Sequence, residues 1–225
     1  MNEVKKYVYS FEEGNAEMKD LLGGKGANLA QMVQYGLPVP PGFILTTEAC
    51  LKYGEDPAFL DSVWDKVVSS MKDIEKKTGK TFGSGENPLL VSVRSGAPIS
   101  MPGMMDTVLN LGLNDESVES LARVADDRRF AFDSFRRFIQ MYGNVVHGVN
   151  GDAFEEVLEH FKSSLGVKFD NEIPAEKLVE VVARFKEIFK EKAGFDFPAD
   201  PWQQLRNAVE AVFKSWGNPR AVTYR

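Results

Sequence analysis

Hydrophobic positions in the first half of the chain change their period several times, whereas in the second half they keep one. Val4 to Phe11 carries aromatic and β-branched residues in the pattern of a strand. Leu29, Met32 and Val33 then share one stripe of a short helix that Gly36 can cap. Pro40-Pro41-Gly42 turns the chain into Phe43-Ile44-Leu45-Thr46-Thr47, a second strand-like run, followed by a helix through Cys50. Phe59, Leu60, Val63, Trp64, Val67, Val68, Met71 and Ile74 recur at three and four positions, which predicts an amphipathic helix ending near Gly79. Leu89 to Val93 is short and apolar, a strand candidate that runs straight into Arg94-Ser95-Gly96.

From about Asn114 to Trp216 the pattern is helical almost throughout. The stripes are Phe135, Phe138, Ile139 and Tyr142; Phe154, Val157, Leu158 and Phe161; Leu178, Val181, Val182, Phe185 and Phe189; and Trp202, Leu205, Val209, Val212 and Trp216. Pro174 and Pro201 stand where first-turn prolines belong. After a turn at Gly217-Asn218-Pro219, residues Ala221-Val222-Thr223 have strand character. These patterns predict an α+β (mixed α/β) protein. Residues 1–111 with 200–225 form an α/β lobe in this reading, and 112–199 a helical subdomain. Because a domain seldom ends on a strand-like run, the chain is expected to be a fragment of a longer multidomain protein.

Charge narrows the partners. The 225 residues include 27 Lys+Arg against 33 Asp+Glu, a net charge of -6. That acidic excess argues against a nucleic-acid partner or an anionic membrane surface, both of which need a concentrated basic footprint. Any anionic ligand must therefore be met locally. No apolar run follows the N-terminal lysines, and no stretch approaches the roughly 20 apolar residues of a membrane helix, so neither a signal peptide nor a membrane span is expected. With one Cys there is no intrachain disulfide framework and no CxxC, which points to a reducing, cytoplasmic compartment. Cys50 reads as a small core residue.

Standard nucleotide and metal motifs are missing. Gly79-Lys80-Thr81 mimics the tail of a P-loop, but Asp73-Ile74-Glu75 ahead of it supplies no glycine, so it reads as a helix cap and loop. There is no GxGxxG after a strand, no HExxH and no kinase-type HRD. His147 and His160 have no ligand neighbours at metal spacing and read as packing or helix-surface residues.

Four stretches could carry chemistry, each with a plainer alternative. Gly23-Gly24-Lys25-Gly26 precedes the Leu29 stripe, so backbone N–H groups, a helix dipole and the Lys25 ammonium could converge on an anion; otherwise it is a flexible turn with a solvated lysine. Arg94 ends an apolar strand, where its fork suits phosphate oxygens at roughly 1.5 to 3 kcal/mol per charge-assisted bond; it could equally pair with an acid. The run Ser100-Met101-Pro102-Gly103-Met104-Met105-Asp106-Thr107 has the small, polar and soft side chains of a loop that folds over a base or a triphosphate. Its methionines could also be ordinary gap-fillers. Arg137 lies opposite the Phe135 stripe at about 100° per residue, with Asp133 four positions earlier. It is either a surface ion pair or a further phosphate ligand.

Taken together, these residues resemble a known family. LGGKGANL at Leu22 to Leu29, the Pro38 to Thr47 segment, and VSVRSGAPISMPGMMDTVLNLGLN from Val91 to Asn114 closely resemble the N-terminal nucleotide-binding region of the pyruvate, phosphate dikinases. FRRFIQMYGNVV and AVFKSWGNPRAVTYR extend the likeness over nearly the whole chain. The resemblance implies the first lobe of an ATP-grasp domain, within an enzyme that interconverts ATP, phosphate and pyruvate with AMP, diphosphate and phosphoenolpyruvate through a phosphohistidine. By position, Lys25, Arg94 and Arg137 match ATP-phosphate ligands of that family. Gly96, with Ser100, Met101, Gly103, Met104, Met105, Asp106 and Thr107, matches its glycine-rich loop. The implied partners are ATP with Mg2+, the remaining domains of the same polypeptide, and a second copy in a homodimer of the full-length enzyme. The carrier histidine and the Mg2+ carboxylates are expected beyond residue 225, leaving no catalytic residue here and a fragment inactive alone. Two alternatives stand beside this one: a phosphoenolpyruvate synthase-type dikinase, and a non-catalytic, helix-rich binding module whose basic residues pair with its acids.

Overall fold

The computed structural model describes residues 5–98 and 105–224. It is a mixed α+β fold with small sheets and many helices. The chain divides into two compact units. One comprises Met1–Gly79, Arg94–Asp106 and Val212–Arg225, the other Lys80–Val93 and Thr107–Ala211.

In the first unit, β1 (Val8–Ser10) pairs antiparallel with β2 (Phe43–Leu45), Tyr9 opposite Ile44. The strand expected over Val4 to Phe11 is shorter, because Phe11–Glu13 turns as a 3-10 helix whose Glu13 Oε2 accepts from the Ser10 N–H at 2.8 Å. Helix α1 (Lys19–Gln34) buries Leu22, Ala27 and Ala30. Its small residues let it lie close to β2: a side chain at Gly26 would start 2.9 Å from Ile44 Cδ1. Helix α2 (Thr47–Glu55) starts where Thr46 Oγ1 accepts from the Ala49 N–H. The long apolar stripe forms α3 (Phe59–Thr78), with Leu60, Val63, Val67, Met71 and Ile74 all buried and Gly79 closing it in a left-handed conformation. Fully burying a Leu, Val or Met side chain contributes about 1.5 to 3 kcal/mol, so this one stripe is a large part of the unit's core. Cys50 is half-buried, its Sγ 3.8 Å from the Phe213 carbonyl.

The second unit is mainly helical. Strands β3 (Thr81–Phe82) and β4 (Pro88–Leu89) pair in parallel, and β5 (Val91–Arg94) pairs with β6 (Thr107–Leu111). The single strand expected from Leu89 to Val93 is thus broken at Leu90. Helices α4 (Asp115–Ala125), α5 (Arg128–His147), α6 (Asp152–Leu165) and α7 (Ala175–Ala193) follow, and α8 (Pro201–Ser215) begins in this unit and ends in the first. Each predicted stripe supplies the core: Phe135, Phe138, Tyr142, Phe154, Leu178, Val181, Phe185 and Phe189 are fully buried. Phe197 meets Phe135, Phe138, Tyr142 and Phe189 at ring distances between 5.3 and 6.2 Å, mostly edge to face. Burial at this junction pushes the Tyr142 hydroxyl up to about 12. Gln204 of α8 is also buried, and its amide is fully used: it accepts from the Gly112 N–H and donates to the carbonyls of Leu113 and Pro198.

Residues 80–93 and 107–111 pack with the helices, because Phe82 is buried edge-on to Trp202 and the Asn114 amide donates to the Gly83 and Ala199 carbonyls. The strand-like Ala221-Val222-Thr223 is helical, within α9 (Pro219–Tyr224). Strand propensity is realised only against a neighbouring strand, whereas Pro219 at the first helical position and the Val222 N–H donated to the Asn218 carbonyl at 3.0 Å make a helix locally. No helix among the described residues is long and apolar enough to cross a membrane.

Candidate functional site

Lys25 and the end of β5 come together in the first unit. Helix α1 is interrupted at Gly23, whose φ of 70° and ψ of 158° lie in a region open essentially only to glycine. Immediately after this kink the Gly24 N–H donates to the Ala97 carbonyl at 2.9 Å. One residue further the Lys25 Nζ donates to the Ser95 carbonyl at 2.8 Å, across 70 positions of sequence. The glycine-rich stretch is therefore the kinked start of a helix. At least one of its N–H groups, that of Gly24, is spent on the backbone that follows Arg94.

This anchors the Lys25 ammonium on the backbone next to Arg94, whose charge it feels. Lys25 and Arg94 are both exposed, and neither has a carboxylate partner among the described residues. The Lys25 ammonium is held below its ordinary pKa, first by partial burial and then by the positive charge of Arg94. In water a lone lysine would turn away from an arginine; here the Ser95 carbonyl keeps it in place. Two adjacent unneutralised cations at the start of a helix are suited to an anion carrying more than one charge. Gly96 is exposed beside them, and a Cβ there would meet Lys25 Cβ at an ordinary 3.6 Å.

The remaining candidates divide. Ser100, Met101, Gly103 and Met104 lie outside the described residues. Met105 and Asp106 are half-buried in the first unit, where the Asp106 N–H donates to the buried Ser215 Oγ at 3.2 Å. Partial burial raises the Asp106 carboxyl pKa. Thr107 opens β6 in the second unit. Arg137, on α5 of that unit, is 60% exposed and donates its Nε to Asp133 Oδ2 at 3.0 Å. That is the i, i+4 ion pair its spacing suggested.

The neighbouring Arg136 does not stand out in the sequence and is 3% exposed. It donates to Asp133 and to Asp170, which also receives Lys162 Nζ, while Arg129 donates to the Asp170 and Ile173 carbonyls. The legible signal is position: four residues after Phe132 and three before Ile139, Arg136 falls on the buried face. Among the described residues no group of three or more His, Cys, Asp or Glu could hold a metal ion. The residues described here thus do not fit a magnesium site. His147 packs against Tyr142, Phe189 and Phe195, and His160 against Phe161, as packing residues do.

Comparisons with known proteins bear on the family of the chain. The family model described as "Pyruvate phosphate dikinase, AMP/ATP-binding domain" matches residues 19–78 and 57–225. The pyruvate, phosphate dikinase of Clostridium symbiosum is 51% identical over 222 residues, covering 98% of this chain and 25% of that protein. That of Rhizobium meliloti is 54% identical over 225 residues, with the same coverage, and that of Giardia intestinalis 49% identical over 225 residues, covering 97% and 26%. The chain spans about a quarter of the length of these relatives. The chain belongs to the pyruvate phosphate dikinase AMP/ATP-binding domain family.

Proposed function

We propose that this chain is the ATP-binding portion of a pyruvate, phosphate dikinase, interconverting ATP, phosphate and pyruvate with AMP, diphosphate and phosphoenolpyruvate. Its task in that reaction is to hold the triphosphate while a phosphoryl group passes to a histidine carried elsewhere in the polypeptide. The observation that supports this is the Lys25 ammonium held on the Ser95 carbonyl, one residue from Arg94 and within reach of its charge, with no neutralising acid on either among the described residues.

Phosphoryl transfer depends on positioning and on stabilising charge that develops on phosphate oxygens. Lys25 supplies a point charge and Arg94 a planar fork for two oxygens. In this reading Gly96, Ser100, Met101, Gly103, Met104, Met105, Asp106 and Thr107 line the nucleotide. Arg137 is a further phosphate ligand that would have to share its fork with Asp133. The proposal extends to an ATP-grasp lobe over residues 1–111 with 200–225 and a helical subdomain over 112–199. It also includes Mg2+ arriving with ATP, a cytoplasmic location and a homodimeric full-length enzyme.

The test is to separate the two partial reactions in the full-length protein. Arg94→Ala should slow phosphorylation of the protein by labelled ATP while leaving the pyruvate half-reaction nearly intact. Equal loss of both would argue for misfolding, and no loss of either would overturn the phosphate role.

A further inference from the structure

Lys25 is anchored on the backbone that follows Arg94, and two residues before it stands a glycine with no room for a side chain. At Gly23 an added Cβ would sit 2.3 Å from the Gly96 carbonyl oxygen and 2.7 Å from its carbon. These are backbone atoms, which cannot swing aside as a side chain can. The kink at Gly23 therefore lets the start of α1 lie directly on the backbone of Ser95 to Ala97, where the Gly24 and Lys25 bonds then close. Three consecutive residues, 23, 24 and 25, meet the backbone of Gly96, Ala97 and Ser95 respectively and join the kinked helix to the strand end.

We propose that Gly23 is a positioning residue for anion binding: it docks the kink of α1 on the Ser95–Ala97 backbone and so holds Lys25 near Arg94. The inference rests on the reading of Lys25 and Arg94 as phosphate ligands. It departs from the usual view of a glycine-rich turn, in which glycines clear space for the phosphate. Here Gly23 clears space for another piece of the protein's own backbone, and the Gly24 N–H is committed to Ala97. The anion is left to the side chains.

A matched control exists in the second unit. Gly83 also has a left-handed φ, of 66°, and a Cβ there would meet Pro201 Cβ at 2.6 Å and the Gly112 carbonyl oxygen at 3.0 Å. Gly23→Ala and Gly83→Ala thus both introduce strain and a clash, but only the first disturbs Lys25. Mg-ATP binding by the full-length protein is measured by calorimetry for both, with Tm recorded alongside and Lys25→Met as a third variant. Gly23→Ala should weaken binding about tenfold, the size of one misplaced charge-assisted contact, while Gly83→Ala keeps the original affinity. Unchanged binding in Gly23→Ala with weakened binding in Lys25→Met overturns the positioning role and leaves the phosphate reading standing. Unchanged binding in Lys25→Met removes the phosphate reading, and this proposal with it.

A second measurement needs no variant and holds even if Gly23→Ala fails to fold. The Gly24 amide of the unaltered protein, followed by NMR through a Mg-ATP titration, should stay hydrogen-bonded to the Ala97 carbonyl. Transfer of that N–H to a phosphate oxygen would overturn the proposal.

Discussion

The molecule uses its cations in two opposite ways, and the contrast separates architecture from binding. On α5, Arg136 is 3% exposed, bonded to Asp133 and Asp170, with Lys162 and Arg129 converging on the same Asp170. At the start of α1 and the end of β5, Lys25 and Arg94 are exposed and meet no carboxylate among the described residues. A buried charge must be neutralised where it sits, because desolvation costs several kcal/mol per ion. An exposed pair of like charges has no such requirement and does not stabilise the fold. In the function proposed above its arrangement serves a ligand, and with 33 Asp+Glu in the chain acids were plentiful.

Removing the buried partner tests the first half of that contrast and should give the largest effect. Arg136→Ala leaves Asp133 and Asp170 with fewer partners and should cost roughly 3 kcal/mol, the low end for a broken buried pair because both acids keep some solvent. Denaturant unfolding measures it; a loss within about 0.5 kcal/mol, the ordinary range for surface changes, would show the network to be dispensable.

The second half is tested through ligand and salt. Binding of Mg-ATP by this chain alone should be weak and should weaken further as salt rises, since exposed cations are screened over roughly 8 Å at physiological ionic strength. Isothermal titration at low and high salt reads this directly. Tight, salt-independent binding would contradict an open cation pair.

Acid should discriminate the two regions as well. Burial pushes the Asp170 carboxyl up, but hydrogen bonding from Lys162 and the charge of Arg136 outweigh it, so the net shift is down from 3.8. A depressed carboxylate contributes stability that is present above its unfolded pKa and lost as pH falls through the folded value. Asp170→Asn should therefore destabilise at neutral pH and flatten the stability curve below about pH 4, the ordinary carboxylate range. A parallel curve at every pH would remove Asp170 from the linkage.

The smallest effect is spectroscopic. Arg94→Ala should raise the Lys25 pKa part of the way toward its ordinary value, the remaining depression coming from burial, the larger cause. NMR titration of a labelled Lys25 reads the shift. An unmoved value would mean that Arg94 does not act on Lys25.

Much of this architecture is legible in the order of the residues alone. The stripes that form α3, α5, α7 and α8 are plain because helical periodicity is a local property, repeated within a few residues and satisfied by whatever apolar surface lies opposite. Lys25 and Arg94 stand out for the same reason, as cations set in short runs of glycine or apolar residues. The division of cations into structural and free cannot be read this way. Arg94, Arg136 and Arg137 all sit in a chain rich in acids, and only tertiary packing decides which acid reaches which arginine. Ala221-Val222-Thr223 has the composition of a strand and folds as helix, since a strand needs a partner that composition cannot supply. Gly23 and Gly24 read as an open cradle, yet their occupant is the backbone of Gly96 and Ala97. A glycine records in the sequence that something comes close; what comes close is settled by contacts some 70 residues away along the chain.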